Sequence, residues 1–289
     1  MLNYPNSVGG GWTAIILAGQ RPGPDHFSAA YGVDAKALIP VAGAPMLGHV
    51  ARALLASPSI GRILVLAQSP GDLLKGSLDW MAAEPRIRGL VTGDGISLSI
   101  DQVAGADPAP FPLLVTTADH PLLTPEIVEA FIAGAQGSDA AYGAVERQVA
   151  ERAWPGMKRT WVKLSDGHFT GANLFALTAP RSRRAVQAWA DIEKDRKRAL
   201  RLLFYLGPTI LLRALTRTIS LDRATAASGR KIGIDLRAVR LPFADAAIDV
   251  DKPSDLVLAE HILMLRANAA ERKSDSGAEG SGPDHSNGV

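Results

Sequence analysis

The chain has 289 residues, 47% of them hydrophobic and 21% charged, with a formal net charge of +2. A balance this close to neutral argues against nucleic acid as a partner. The absence of cysteine excludes disulfides and thiolate metal sites and is compatible with a cytoplasmic setting. The opening residues, MLNYPNSVGGGW, carry neither a cationic nor an apolar leader region, so no signal peptide is expected. No apolar run approaches the ~20 residues that span a bilayer.

Residues 1–11 read as a loose lead-in. Ala14–Ala18 is a short, β-branched apolar run, the pattern of a buried central strand. It breaks at Gly19 into a polar loop with Arg21 and Gly23, then Lys36. A glycine loop at the end of a strand leaves backbone N–H groups that suit phosphate oxygens, and Arg21 and Lys36 add two cations. An ordinary βα loop with two solvated cations is the plainer alternative. After a turn at Gly43–Pro45, Met46, Leu47, Val50 and Leu54 recur at helical spacing.

Further strands are expected at Arg62–Ala67, Gly89–Val91 and Leu113–Ala118, with helices over Gly71–Ala83 and Ile96–Gly105. Thr124-Pro125-Glu126 opens another helix: Thr caps, Pro suits the first helical position, and Glu faces the positive end of the dipole. Asp139–Glu146 and Trp161–Leu164 read as strands. Gly167 and Gly171 flank a turn before a strand at Ala172–Leu177. Pro180–Glu193 reads as a helix, and a last helix runs to about Asn268. Beyond it, from Ala269, the composition is that of a disordered tail. Strands alternating with helices predict an α/β fold, a parallel sheet with helices on both faces. Ligands in such a sheet bind at the carboxyl ends of the strands, which gathers Gly19–Arg21, Gln68, Asp94 and Asp119.

Asp119 follows a buried strand directly, and Asp249 and Asp251 precede the last helix. Magnesium takes one or two carboxylates plus phosphates and waters, so Asp119 with Asp249 or Asp251 is a minimal Mg2+ site. Aspartates that merely cap helices are the alternative.

Several of these stretches are familiar. Leu17-Ala18-Gly19, the basic loop, Lys36–Val41, Gly43 and Pro45-Met46-Leu47 resemble the opening of the MobA-like nucleotidyltransferases, with Gln20 standing where that family commonly has glycine. Thr116–Thr124 resembles the segment whose aspartate binds the metal. Asp249–Leu256 resembles the terminal motif that supplies a second ligand, from the position of Asp249 or Asp251. Gly171-Ala172-Asn173-Leu174-Phe175 resembles the acceptor-side strand, in which Asn173 touches substrate. The resemblance covers residues 13–180 and 244–266. It implies a Rossmann-like three-layer α/β/α sandwich of the nucleotide-diphospho-sugar transferase type, a single domain over 12–268. It implies transfer of NMP from an NTP, CTP or GTP, to a phosphorylated small-molecule acceptor, with Mg2+ as cofactor. Arg21 would then steady the leaving pyrophosphate, and Lys36 the α-phosphate or the incoming acceptor. Leu17, Ala18, Gly19, Gln20, Gln68, Asp94 and Ser97 would line the nucleotide, and His120 would be structural.

Residues 194–231 match nothing in that pattern. Arg196–Arg217 holds six basic residues and no acidic one, with Leu200 and Leu202–Leu206 apolar nearly all round a helix until Gly207-Pro208. Such a helix must be covered: as a lid on the sheet, by the second copy of a homodimer, or by peripheral contact with an anionic membrane at its inner surface. Two other function classes stand beside the enzyme: a catalytically silent nucleotide-binding regulatory domain, and a membrane-surface adaptor.

Overall fold

The computed structural model describes residues 11–20, 23, 25–92, 95–193 and 208–278. Among the described residues ten strands are seen: β1 (Trp12–Leu17), β2 (Pro40–Val41), β3 (Ala44–Pro45), β4 (Ile60–Ala67), β5 (Ile87–Val91), β6 (Leu113–Thr117), β7 (Ala140–Glu146), β8 (Val162–Leu164), β9 (Gly167–Leu177) and β10 (Leu236–Arg240). The main sheet runs β10-β7-β9-β6-β1-β4-β5, with β8 on β9. β1 lies parallel to both β4 and β6, β4 to β5, and β10 to β7. Within this sheet, among the described residues, β9 alone is reversed, running against β6, β7 and β8.

The layers follow from strand alternation. Ala14 and Ile16 of β1, with Ile63 and Val65 of β4, enter one core with Leu47, Val50 and Leu54 of α2 (Met46–Leu55) and Phe131 of α6 (Pro125–Ala135). Ile15, Leu64 and Leu66 enter the opposite core with Ile100 of α5 (Ile96–Ala104) and Val186 of α8 (Arg183–Glu193). Helices therefore cover both faces of a mostly parallel sheet, the expected α/β/α sandwich. Thr124 caps α6 as its sequence predicts, accepting from the Ile127 N–H.

A third cluster sets the functional edge. Ile39, Val41 and Met46 pack with Leu122, Ile248, Val250 and with Leu256, Ala259 and Ile262 of α11 (Pro253–Ala278). The Val250 N–H donates to the Asp119 carbonyl at 2.9 Å. Asp245 accepts from Trp154 Nε1 at 2.6 Å and from Arg266 at 2.5 Å, and Arg266 also reaches the Leu122 carbonyl at 3.0 Å. The C-terminal segment is thereby pinned to the loop after β6, although well over a hundred residues separate them in the chain.

The structure corrects several expectations. Gly71–Ala83 is not one helix: α3 (Pro70–Leu73) stops, Gly76 takes φ +65°, and after a 3-10 turn α4 (Asp79–Ala83) begins. Gly171 flanks no turn. The hairpin turns at Ser165-Asp166, β9 is continuous from Gly167, and its irregularity falls at Asn173, with φ +49° where the register to β7 shifts. α11 runs ten residues past its expected end at Asn268, carried by helix formers such as Ala269, Ala270 and Glu271. A short helix, α1 (His26–Ala30), sits inside the long loop, capped by Asp25. Other elements also had no counterpart in the sequence reading: α10 (Leu221–Ile232), capped by Ser220, the edge strand β10, and the helix that follows β7. α7 (Arg147–Ala153) leads into the loop of residues 154–161. Within the insertion, α9 (Pro208–Leu215) starts at the expected break. The basic apolar stretch 194–207, and with it the lid, dimer and membrane readings, lies outside the described residues. Among the described residues no helix is long and apolar enough to cross a membrane.

Candidate active site

Three side-chain groups meet at the carboxyl edge of β1, β4 and β6. At the centre is Lys36, on a 3-10 turn (Lys36–Leu38) that the apolar Ile39 anchors in the core beneath. Its Nζ donates to Asp119 Oδ2 and to Asp251 Oδ1, each at 2.5 Å. Asp119 leaves β6 two residues past the strand, held by the Ala118 N–H to Leu17 carbonyl bond at 3.0 Å. Burial alone would lower the Lys36 pKa. The attraction of Asp119 and the hydrogen bonds to both carboxylates outweigh it and raise it above the ordinary lysine value. Lys36 is therefore a fixed positive charge.

The second group holds the terminal aspartates. Ile248 and Val250 point into the core, so Asp249 and Asp251 both face the site, as alternation predicts. They find different partners. Asp249 pairs with Arg159 from the loop after α7, and its Oδ2 accepts from Asn173 Nδ2 at 3.0 Å. Asp251 shares Lys36 with Asp119. The left-handed turn at Asn173 sits on the β9 bulge beside this pair. Arg159 was missed by sequence reasoning, since one arginine in a loop between Trp154 and Trp161 carries no mark that distinguishes it.

The third group shapes the loop after β1. The Leu17 carbonyl and the Ala18 N–H are spent on the sheet, the latter on Leu66 at 2.9 Å. The Gln20 N–H is not free for phosphate, as the glycine-loop expectation had it. It donates to Gln68 Oε1 at 3.0 Å, and Gln68 Nε2 returns a bond to the Gln20 carbonyl at 2.7 Å. The Gln20 side chain closes the long loop by donating to the Asp34 carbonyl at 2.6 Å. Gly19 lies beside this clasp: a Cβ there would touch the Gln68 amide at 3.4 Å, an ordinary van der Waals contact. Ser97 is buried in the first turn of α5. Arg21 and Asp94 lie outside the described residues.

A divalent cation fits the central group. Asp119 Oδ1 is buried without a hydrogen-bond partner, while Oδ2 and Asp251 Oδ1 converge on one point. Among the described residues no cluster of three or more metal-ligating side chains occurs. Two carboxylates would need phosphate oxygens and water to complete the shell, the usual arrangement for magnesium. His120 next door is buried, and burial, opposed by Asp119 and Asp249, lowers its pKa, which suits a neutral structural ring.

A family model described as a MobA-like NTP transferase domain matches residues 14–209. Over 276 residues the chain is 29% identical to a protein of Streptomyces avermitilis named 2-C-methyl-D-erythritol 4-phosphate cytidylyltransferase, covering 91% of this chain and 95% of that one. A hypothetical transferase from Thermus thermophilus superposes with a TM-score of 0.71 at 30% identity, over 85% of this chain and 99% of its own. The 4-diphosphocytidyl-2C-methyl-D-erythritol synthase of Anaerococcus prevotii shares the fold at a TM-score of 0.52 and 14% identity, over 88% and 97%.

Proposed function

The chain belongs to the MobA-like NTP transferase family and is a nucleotidyltransferase, and on that premise we propose that it transfers CMP from CTP to a small phosphorylated polyol or sugar acceptor in a magnesium-dependent reaction. The observation that carries this reading is Lys36 held between Asp119 and Asp251 at the carboxyl edge of the sheet. The name of the Streptomyces relative supports CTP over GTP and a polyol phosphate as acceptor.

An acceptor phosphate oxygen attacks the α-phosphorus. A new P–O bond forms there, the bond to the bridging oxygen breaks, and pyrophosphate leaves with that electron pair. The acceptor phosphate is already ionised near neutral pH, so no general base is required. The work is positioning and charge neutralisation. Asp119 and Asp251 would hold magnesium, which when bound neutralises charge on the phosphates. Lys36 would meet the α-phosphate and Arg21 the pyrophosphate. Asn173 and Arg159, side by side at Asp249, would receive the acceptor, and the arginine suits its phosphate. The Gln20–Gln68 clasp would shape the loop over the nucleotide.

The test is pyrophosphate release with each of the four NTPs, with and without magnesium, against a panel of polyol and sugar phosphates, paired with thermal shifts. A nucleotide at ~100 times its Kd adds about 2.7 kcal/mol of stability. CTP with magnesium should stabilise wild type but not Asp119→Asn, and Asp251→Asn should weaken this more than Asp249→Asn. If no NTP stabilises the protein under any condition, the reading fails.

A further inference from the structure

We propose that Lys36 is a resident cation that occupies the metal carboxylates until nucleotide arrives, so that a divalent cation binds this chain only together with the nucleotide. The proposal rests on the reading of the site just given. Its ground is the shape of the Lys36 contact. One ammonium nitrogen lies 2.5 Å from Asp119 Oδ2 and 2.5 Å from Asp251 Oδ1. Two oxygens so placed are at most about 5 Å apart, and a magnesium ion with ligands at about 2.1 Å holds its oxygen pairs about 3–4 Å apart. The ion and the ammonium compete for one point.

Charge decides the competition. The two carboxylates carry two negative charges and Lys36 removes one. The third carboxylate close by, Asp249, is spent on Arg159 and Asn173. A dication entering beside a fixed ammonium meets like charge at contact distance, where repulsion is strong even with solvent screening. Lys36 can retreat only to another anion. A triphosphate supplies it, because its oxygens give the ammonium a new partner and give the metal its missing ligands at the same time. The side chain is suited to such exchange. Lysine is a point charge on a flexible stem, its side chain is 26% exposed, and Asp251 is 60% exposed. Asp119 Oδ1, buried and unpartnered, is the lone pair that stays unclaimed while Lys36 holds Oδ2. Before nucleotide arrives, Lys36 thus keeps the carboxylates converged and makes metal binding conditional.

Manganese ion is the probe, its free form counted by electron paramagnetic resonance in titrations of the full chain with and without CTP, in the absence of acceptor. Wild type should bind manganese at least tenfold more tightly with CTP present. Lys36→Met should bind manganese without CTP at least tenfold more tightly than wild type does, and gain less from CTP than wild type, since only the ligands supplied by the triphosphate still add affinity. Lys36→Gln gives the same comparison should the methionine variant fail to fold, and the wild-type titrations need no variant. Equal manganese affinity with and without CTP in wild type, or equal CTP-free affinity in wild type and the Lys36 variants, overturns the proposal while leaving the active site standing. If manganese binds to none of these proteins even with CTP, the nucleotidyltransferase site itself is wrong, and the proposal goes with it.

Discussion

Replacing Arg159 by methionine should be among the more damaging single changes near the site. The guanidinium pairs with Asp249, and the two side chains are only 17% and 19% exposed. Removing one partner of a fully buried pair costs about 3–5 kcal/mol, because the other charge is stranded, whereas exposed pairs contribute about 0–1 kcal/mol. At roughly one-fifth exposure the expected loss for Arg159→Met is about 2 kcal/mol, between those limits. Asp249→Asn keeps an oxygen for the Asn173 amide, 3.0 Å away, and relieves the stranded charge. The double variant should therefore be more stable than Arg159→Met alone, with a coupling energy of about 1–2 kcal/mol. Urea unfolding of wild type, both singles and the double closes the cycle, read at the midpoint with unchanged slope. If the two single losses add to within about 0.5 kcal/mol, the pair is not coupled and the account of Asp249 as a neutralised carboxylate is refuted.

Two further predictions concern the frame around the site. Gly134→Ala, normally stabilising in a helix, should instead cost about 1–3 kcal/mol by overpacking, because its Cβ would lie 2.5 Å from Val239 Cγ1; melting temperatures of Gly134→Ala with and without Val239→Ala check this, since the second change removes the clash. Burial raises the pKa of Tyr142, whose hydroxyl meets Thr225 Oγ1 at 2.7 Å. Its contribution is therefore present below pH ~10, the unfolded value, and is lost as pH rises toward the folded value. Urea midpoints at pH 8 and 10.5 should fall further for wild type than for Tyr142→Phe, and equal falls would show that Tyr142 does not titrate differently in the two states.

The central strands and their order of chemistry could be read directly. Short β-branched runs at β1, β4 and β6 can satisfy their side chains only in a buried sheet, and the residues that follow such strands, Gly19, Gln68 and Asp119, must emerge at one edge. Lys36 was singled out by its place after the loop and by family resemblance, and it lies at the centre of the site. β10 was not legible, because its pattern LRAVR, with two exposed arginines, is a strand only by virtue of the parallel ladder offered by β7. The break in Gly71–Ala83 holds a left-handed glycine, Gly76, a backbone state that composition does not announce.

What the sequence determined by itself was the local material: apolar periods, caps, turns, and which carboxylates and cations stood next to strand ends. Those are properties of neighbours in the chain, set by sterics and burial over a few residues. What only the tertiary structure decided was pairing across the chain. Asp249 and Asp251 are equivalent by alternation, and only the arrival of Arg159 and Asn173 on one side and Lys36 on the other separates them. Gln68 became a brace for Gln20 rather than a free polar group because two loops 48 residues apart end side by side. Charges and amides act over a few ångströms in space, and the distance between such groups is fixed by packing, which no local pattern records.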